Sequence, residues 1–82
     1  MKKVVDDNLE FSTLELQKLE AMLFLAYWKN VHYYGKANSI TQYALRSWGR
    51  VYSIMENNGI KQDMKLPEHE DAFKYSNIEL NK

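Results

Sequence analysis

Apolar residues recur at helical spacing from Phe11 to Ile60. The densest stretch is Leu19-Glu20-Ala21-Met22-Leu23-Phe24-Leu25-Ala26-Tyr27-Trp28, interrupted by a single charge at Glu20. Upstream, Ser12 and Glu15 have the spacing of a capping box, in which each side chain accepts a backbone N–H near the other. Phe11 and Leu16 stand where a hydrophobic staple would need them. A helix is therefore predicted from Thr13, and with no proline before Gly35 it is expected to reach Tyr34. Leu16, Leu19, Leu23, Ala26, Tyr27 and Tyr34 share one side, a core stripe with Leu19 and Leu23 deeply buried. Phe24, Trp28 and Val31 form a second stripe, and Leu25 falls among Lys18, Lys29 and His32 on a third side. One neighbour cannot bury all of these, so the helix should be covered on more than one side.

Gly35 supplies a residue that often closes a helix, and Lys36-Ala37-Asn38 is a short connector. Ser39 and Gln42 repeat the capping-box spacing, which predicts a second helix over 40–58. Its apolar residues Ile40, Tyr43, Ala44, Leu45, Trp48, Val51, Tyr52, Ile54 and Met55 cover a broad arc. Gln42, Arg46, Gly49, Arg50, Ser53, Glu56 and Asn57 occupy the rest. Asn57-Asn58-Gly59-Ile60 predicts a Schellman closure, with Gly59 left-handed and Ile60 touching Met55. Pro67 followed by Glu68, Glu70 and Asp71 predicts a short third helix over about 67–75. Residues 1–10 read as a mobile polar tail, 59–66 as a connector and 76–82 as a frayed end. No strand pattern stands out. The expected fold is all-α: a long antiparallel helical hairpin over 11–58 with a short third helix, completed by dimerisation into a helical bundle.

At 82 residues without cysteine, the chain has a marginal core and no disulfide or thiolate site to support it. Self-association or partner binding is the common remedy. No apolar run is long enough to span a bilayer and no signal sequence opens the chain, so a cytoplasmic protein is expected. Net charge is zero but unevenly spread. Residues 1–27 carry three Lys against five acids, 28–65 carry six Lys or Arg against two, and 66–82 carry two Lys against four. A basic middle between acidic ends falls short of the balance of a typical nucleic-acid binder.

Catalytic templates find little here. His32 and His69 are the only imidazoles and neither has a metal-binding partner one turn away. There is no G-x-S-x-G and no glycine-rich phosphate loop. Glu68-His69-Glu70-Asp71 is explained by the preference of acids for a helix start. Neither enzyme activity, a metal nor a cofactor is expected. Aromatic density points elsewhere: Tyr27, Trp28, Tyr33, Tyr34, Tyr43, Trp48 and Tyr52 crowd two helices, and Tyr and Trp are enriched in interface hot spots. The predicted protein interface comprises Phe24, Leu25, Trp28, Val31, Tyr33, Trp48 and Tyr52, with Phe24 and Trp28 near a two-fold axis.

The alternative is a nucleic-acid contact through the polar arc of the second helix, using Lys36, Gln42, Arg46, Arg50 and Ser53. Thr41-Gln42, Gly49 and Asn57-Asn58-Gly59 distantly follow the repressor-type helix-turn-helix pattern. No Ser or Thr cap follows Gly49 to start a recognition helix, so that family is not assigned. The leading expectation is a small regulator or inhibitor that binds itself, a protein partner or both. Nine Lys against two Arg suggest an AT-rich, phage-type genome.

Overall fold

The structure is a computed structural model that describes residues 3–6 and 9–80, with side chains described from 11 to 77. Three helices dominate it: α1 (Thr13–Tyr34), α2 (Ser39–Asn57) and α3 (Pro67–Leu80). The fold is all-α, with one short antiparallel hairpin ahead of α1. Its strands are β1 (Lys3–Asp6) and β2 (Leu9–Ser12), with Lys3 opposite Ser12 and Asp6 opposite Leu9. A polar tail without strands was expected there. Val4-Val5, Asp7-Asn8, then Leu9 and Phe11 is a hairpin pattern, too short to outweigh the polar composition around it.

The helix ends follow from local chemistry. Ser12 Oγ accepts from the backbone N–H of Glu15 and Glu15 Oε1 accepts from that of Ser12, both at 3.1 Å, so β2 runs straight into the capping box. α1 closes at Gly35, whose N–H donates to the Val31 carbonyl at 2.9 Å. Gly35 has φ 84° and ψ 163°, a region open only to glycine, so the chain leaves α1 extended rather than through a left-handed turn. At α2 the cap lies one residue earlier than the Ser39 expectation: Asn38 Oδ1 accepts from the Ile40 N–H at 2.9 Å. Gln42 does not complete a capping box, because its amide donates to the Lys36 carbonyl at 2.7 Å and braces the connector. The Schellman closure of α2 is present. Gly59 has φ 68°, the Ile60 N–H donates to Met55 and the Gly59 N–H to Glu56. α3 begins at Pro67 and extends five residues past the expected end, to Leu80; residues 81 and 82 lie outside the described residues.

α1 is the central element, with α2 packed along one side and α3 along another, while α2 and α3 scarcely meet. Leu16, Val51 and Met55 form the buried cluster between α1 and α2, joined by Phe11, Leu19, Leu23, Ile54 and Ile60. This corrects the expected register. Leu19 and Leu23 are half-buried at the margin of that seam, and Tyr34 is exposed. Because α3 occupies the Phe24–Trp28 side, burial on α1 centres on Leu16, Glu20, Ala21 and Val31.

Candidate functional site

Glu20, the charge inside the most apolar stretch, is fully buried. Its position follows from periodicity: four residues after Leu16 and four before Phe24, it shares their face. Three elements supply its partners. Trp48 Nε1 of α2 donates to Oε2 at 2.8 Å, and Gln62 Nε2 of the connector donates to the same oxygen. His69 Nε2 of α3 lies 2.7 Å from Oε1.

His69 is equally buried, and its Nδ1 lies 2.7 Å from the Asp63 carbonyl. A carbonyl only accepts, so Nδ1 carries a hydrogen. One further proton lies in the bridge between Nε2 and Glu20, completing either an imidazolium–carboxylate or a neutral pair. The Asp63 carbonyl is presented by a tight turn. Asp63 Oδ1 accepts from the Lys65 N–H at 3.0 Å and the carbonyl also accepts from the Leu66 N–H at 3.1 Å. Phe24 roofs the cluster, its ring 5.6 Å from His69, 5.7 Å from Trp48 and 5.7 Å from Phe73.

Every polar atom of this acid–imidazole pair is engaged inside the fold. Chemically it clamps α3 and the connector onto α1, because the buried carboxyl group of Glu20 has its three hydrogen-bond partners only while all three elements are in place. The sequence carried two signals for it: a lone acid on an apolar face, and a histidine in register with Ala72 and Phe73. Acidic helix-start chemistry masks the second.

The expected interface residues separate into two groups. Val31 is buried, Phe24 and Trp48 enclose Glu20, and Trp28 is half-buried with its ring 5.0 Å from Tyr27. These four face the inside of one chain. Leu25 is half-exposed, Tyr33 is 66 % exposed, and Tyr52 lines an open groove of ≈ 470 Å³ with Ile60 and Met64. Tyr34, Ile40 and Tyr43, outside the expected interface, are also exposed, Tyr43 at 72 %. Helix connectivity gathers Tyr33 and Tyr34 at the end of α1 with Ile40 and Tyr43 at the start of α2, around an exposed turn.

The expected nucleic-acid contacts are placed more uniformly. Lys36, Arg46, Arg50 and Ser53 are exposed, and Tyr43, Arg46, Ser47 and Arg50 line a shallow groove of ≈ 270 Å³. Gln42 is half-buried and spent on the connector. Among the described residues no group of three His, Asp or Glu could hold a metal ion, and no helix is long and apolar enough to cross a membrane. Comparison with protein-family models, with curated proteins and with solved structures finds no match to this chain.

Proposed function

We propose that the chain is a small non-enzymatic interaction module, a regulator or inhibitor that binds itself, a protein partner or both. One observation carries this: Tyr33 and Tyr34 at the end of α1, and Ile40 and Tyr43 at the start of α2, are each more than half exposed on either side of one short turn. Exposed tyrosines offer large contact area at low entropic cost, and their hydroxyls tolerate water until a partner arrives. The buried acid–imidazole pair supports the same reading, since its bonding capacity is consumed in holding α3.

The test is photocrosslinking in cells from a reactive residue placed at Tyr43, with a control at exposed Lys61. Nuclease-resistant protein adducts should form from position 43 well above those from 61. Equal yields from the two positions would overturn the reading.

A second reading, single-stranded nucleic acid, is favoured by the shared exposure of Arg46, Arg50 and Tyr43 around one groove. It requires oligonucleotide binding that weakens steeply with salt and is lost in Arg46→Glu/Arg50→Glu.

A further inference from the structure

We infer that the outward face of α1 is a self-association surface whose occupant is the same face of a second copy of this chain. This deepens the interaction-module reading and rests on it. With α2 and α3 on two sides, α1 keeps one long face turned outward, and between Lys18 and Lys29 that face carries an apolar patch. Met22 is 56 % exposed there, and Met22, Leu25 and Ala26 line an open groove of ≈ 330 Å³. A thioether and a branched alkyl chain gain nothing from water, unlike the tyrosines at the hairpin end.

Charge complementarity selects the occupant. Glu68, from the first turn of α3, rims the groove, and Lys29, one turn past Leu25 and Ala26, rims it as well. His69 packs beside Glu20 and Phe73 beside Phe24, so α3 runs alongside α1 in the same direction and Glu68 lies toward the groove's earlier end. A two-fold axis through Leu25 and Ala26 reverses the groove's direction. Lys29 of each copy then meets Glu68 of the other, and both pairs form at once. The same rotation carries exposed Lys18 toward the exposed ring of Tyr33, a cation against an aromatic face.

Size agrees. The molecule extends 42 × 26 × 15 Å, and its broad face can supply the ~800 Å² per partner of a standard interface. A second thin layer laid on the first also gives the two-layer construction by which domains cover their apolar faces.

Sedimentation equilibrium of the full chain, from low to high micromolar concentration, tests this. The mass should rise from 9.8 kDa toward twice that value. Leu25→Asp should stay monomeric throughout with an unchanged circular-dichroism spectrum, since Leu25 is half-exposed. Lys29→Glu alone should weaken association at least ~10-fold, and Lys29→Glu combined with Glu68→Lys should restore it. That charge pair decides the matter even where Leu25→Asp fails to fold. A 9.8 kDa mass at every concentration overturns the proposal, as does a charge-swapped double variant no tighter than the single one. Dimerisation undiminished in folded Leu25→Asp also overturns it, while leaving the interaction-module reading to stand or fall on the crosslinking at Tyr43.

Discussion

Glu20 shows how one side chain can organise three elements. Removing it leaves the buried His69 Nε2 and the part-buried Trp48 and Gln62 N–H groups without their partner. Glu20→Ala should therefore cost about 3–5 kcal/mol, a large part of what a domain this small possesses. Glu20→Gln should cost much less. Its carbonyl can still accept from Trp48 and Gln62, and its amide can donate to a neutral His69 whose Nδ1–H still reaches Asp63. Urea unfolding of the two variants separates these outcomes, and equal losses would mean that the hydrogen bonds contribute little beyond shape. Thr41 offers the opposite case. Its side chain is fully buried and Oγ1 has no hydrogen-bond partner. Thr41→Val keeps the shape and removes the unsatisfied hydroxyl, so it should stabilise the chain by about 1–3 kcal/mol in the same assay. The two signals for the Glu20–His69 pair were too weak to join in the sequence, because one charge in an apolar run looks like an exposed residue until a third helix covers it, and nothing in the sequence marked Thr41.

Helix ends were the most legible level, since capping depends on neighbours in sequence. The Ser12–Glu15 box and the Gly59–Ile60 closure are both as expected. The start of α2 was harder, because Asn38 and Ser39 are adjacent residues of equal capping ability and only the extended backbone at Asn38 decides between them. Asn38→Ala should cost about 1 kcal/mol and Ser39→Ala a few tenths. Reversed values in thermal melts would restore the cap at Ser39. Between helices, legibility fell. The apolar arc of α1 is too wide to reveal its own centre, and the position of α3, fixed by the Glu20–His69 contact, moved burial away from Leu19 and Leu23. Leu16→Ala should accordingly cost about 2–5 kcal/mol, and Leu23→Ala distinctly less. A larger loss at Leu23 would put the centre of the stripe back where periodicity alone suggests.

The whole molecule is more extended than a self-contained globule of its length. Its Cα radius of gyration is 13.3 Å, against roughly 12 Å for a compact chain of this size. A thin layer of helices buries few large side chains, and Tyr33, Tyr34, Tyr43 and Phe73 are left exposed. Aromatic density was legible in the sequence, but which of those rings are buried was not. Phe24, Val31 and Trp48 fill the interior, and Tyr75 of α3 reaches His32 and Tyr33 near the end of α1, whereas Tyr34, Ile40 and Tyr43 face solvent. The most direct measurement is a triple variant, Tyr33→Ser/Tyr34→Ser/Tyr43→Ser, crosslinked from exposed Lys36 in the same turn. Its unfolding free energy should fall little, by about 0.5 kcal/mol or less for each exposed site, while protein adducts from position 36 disappear. Adducts at the parental yield from a folded triple variant would contradict it.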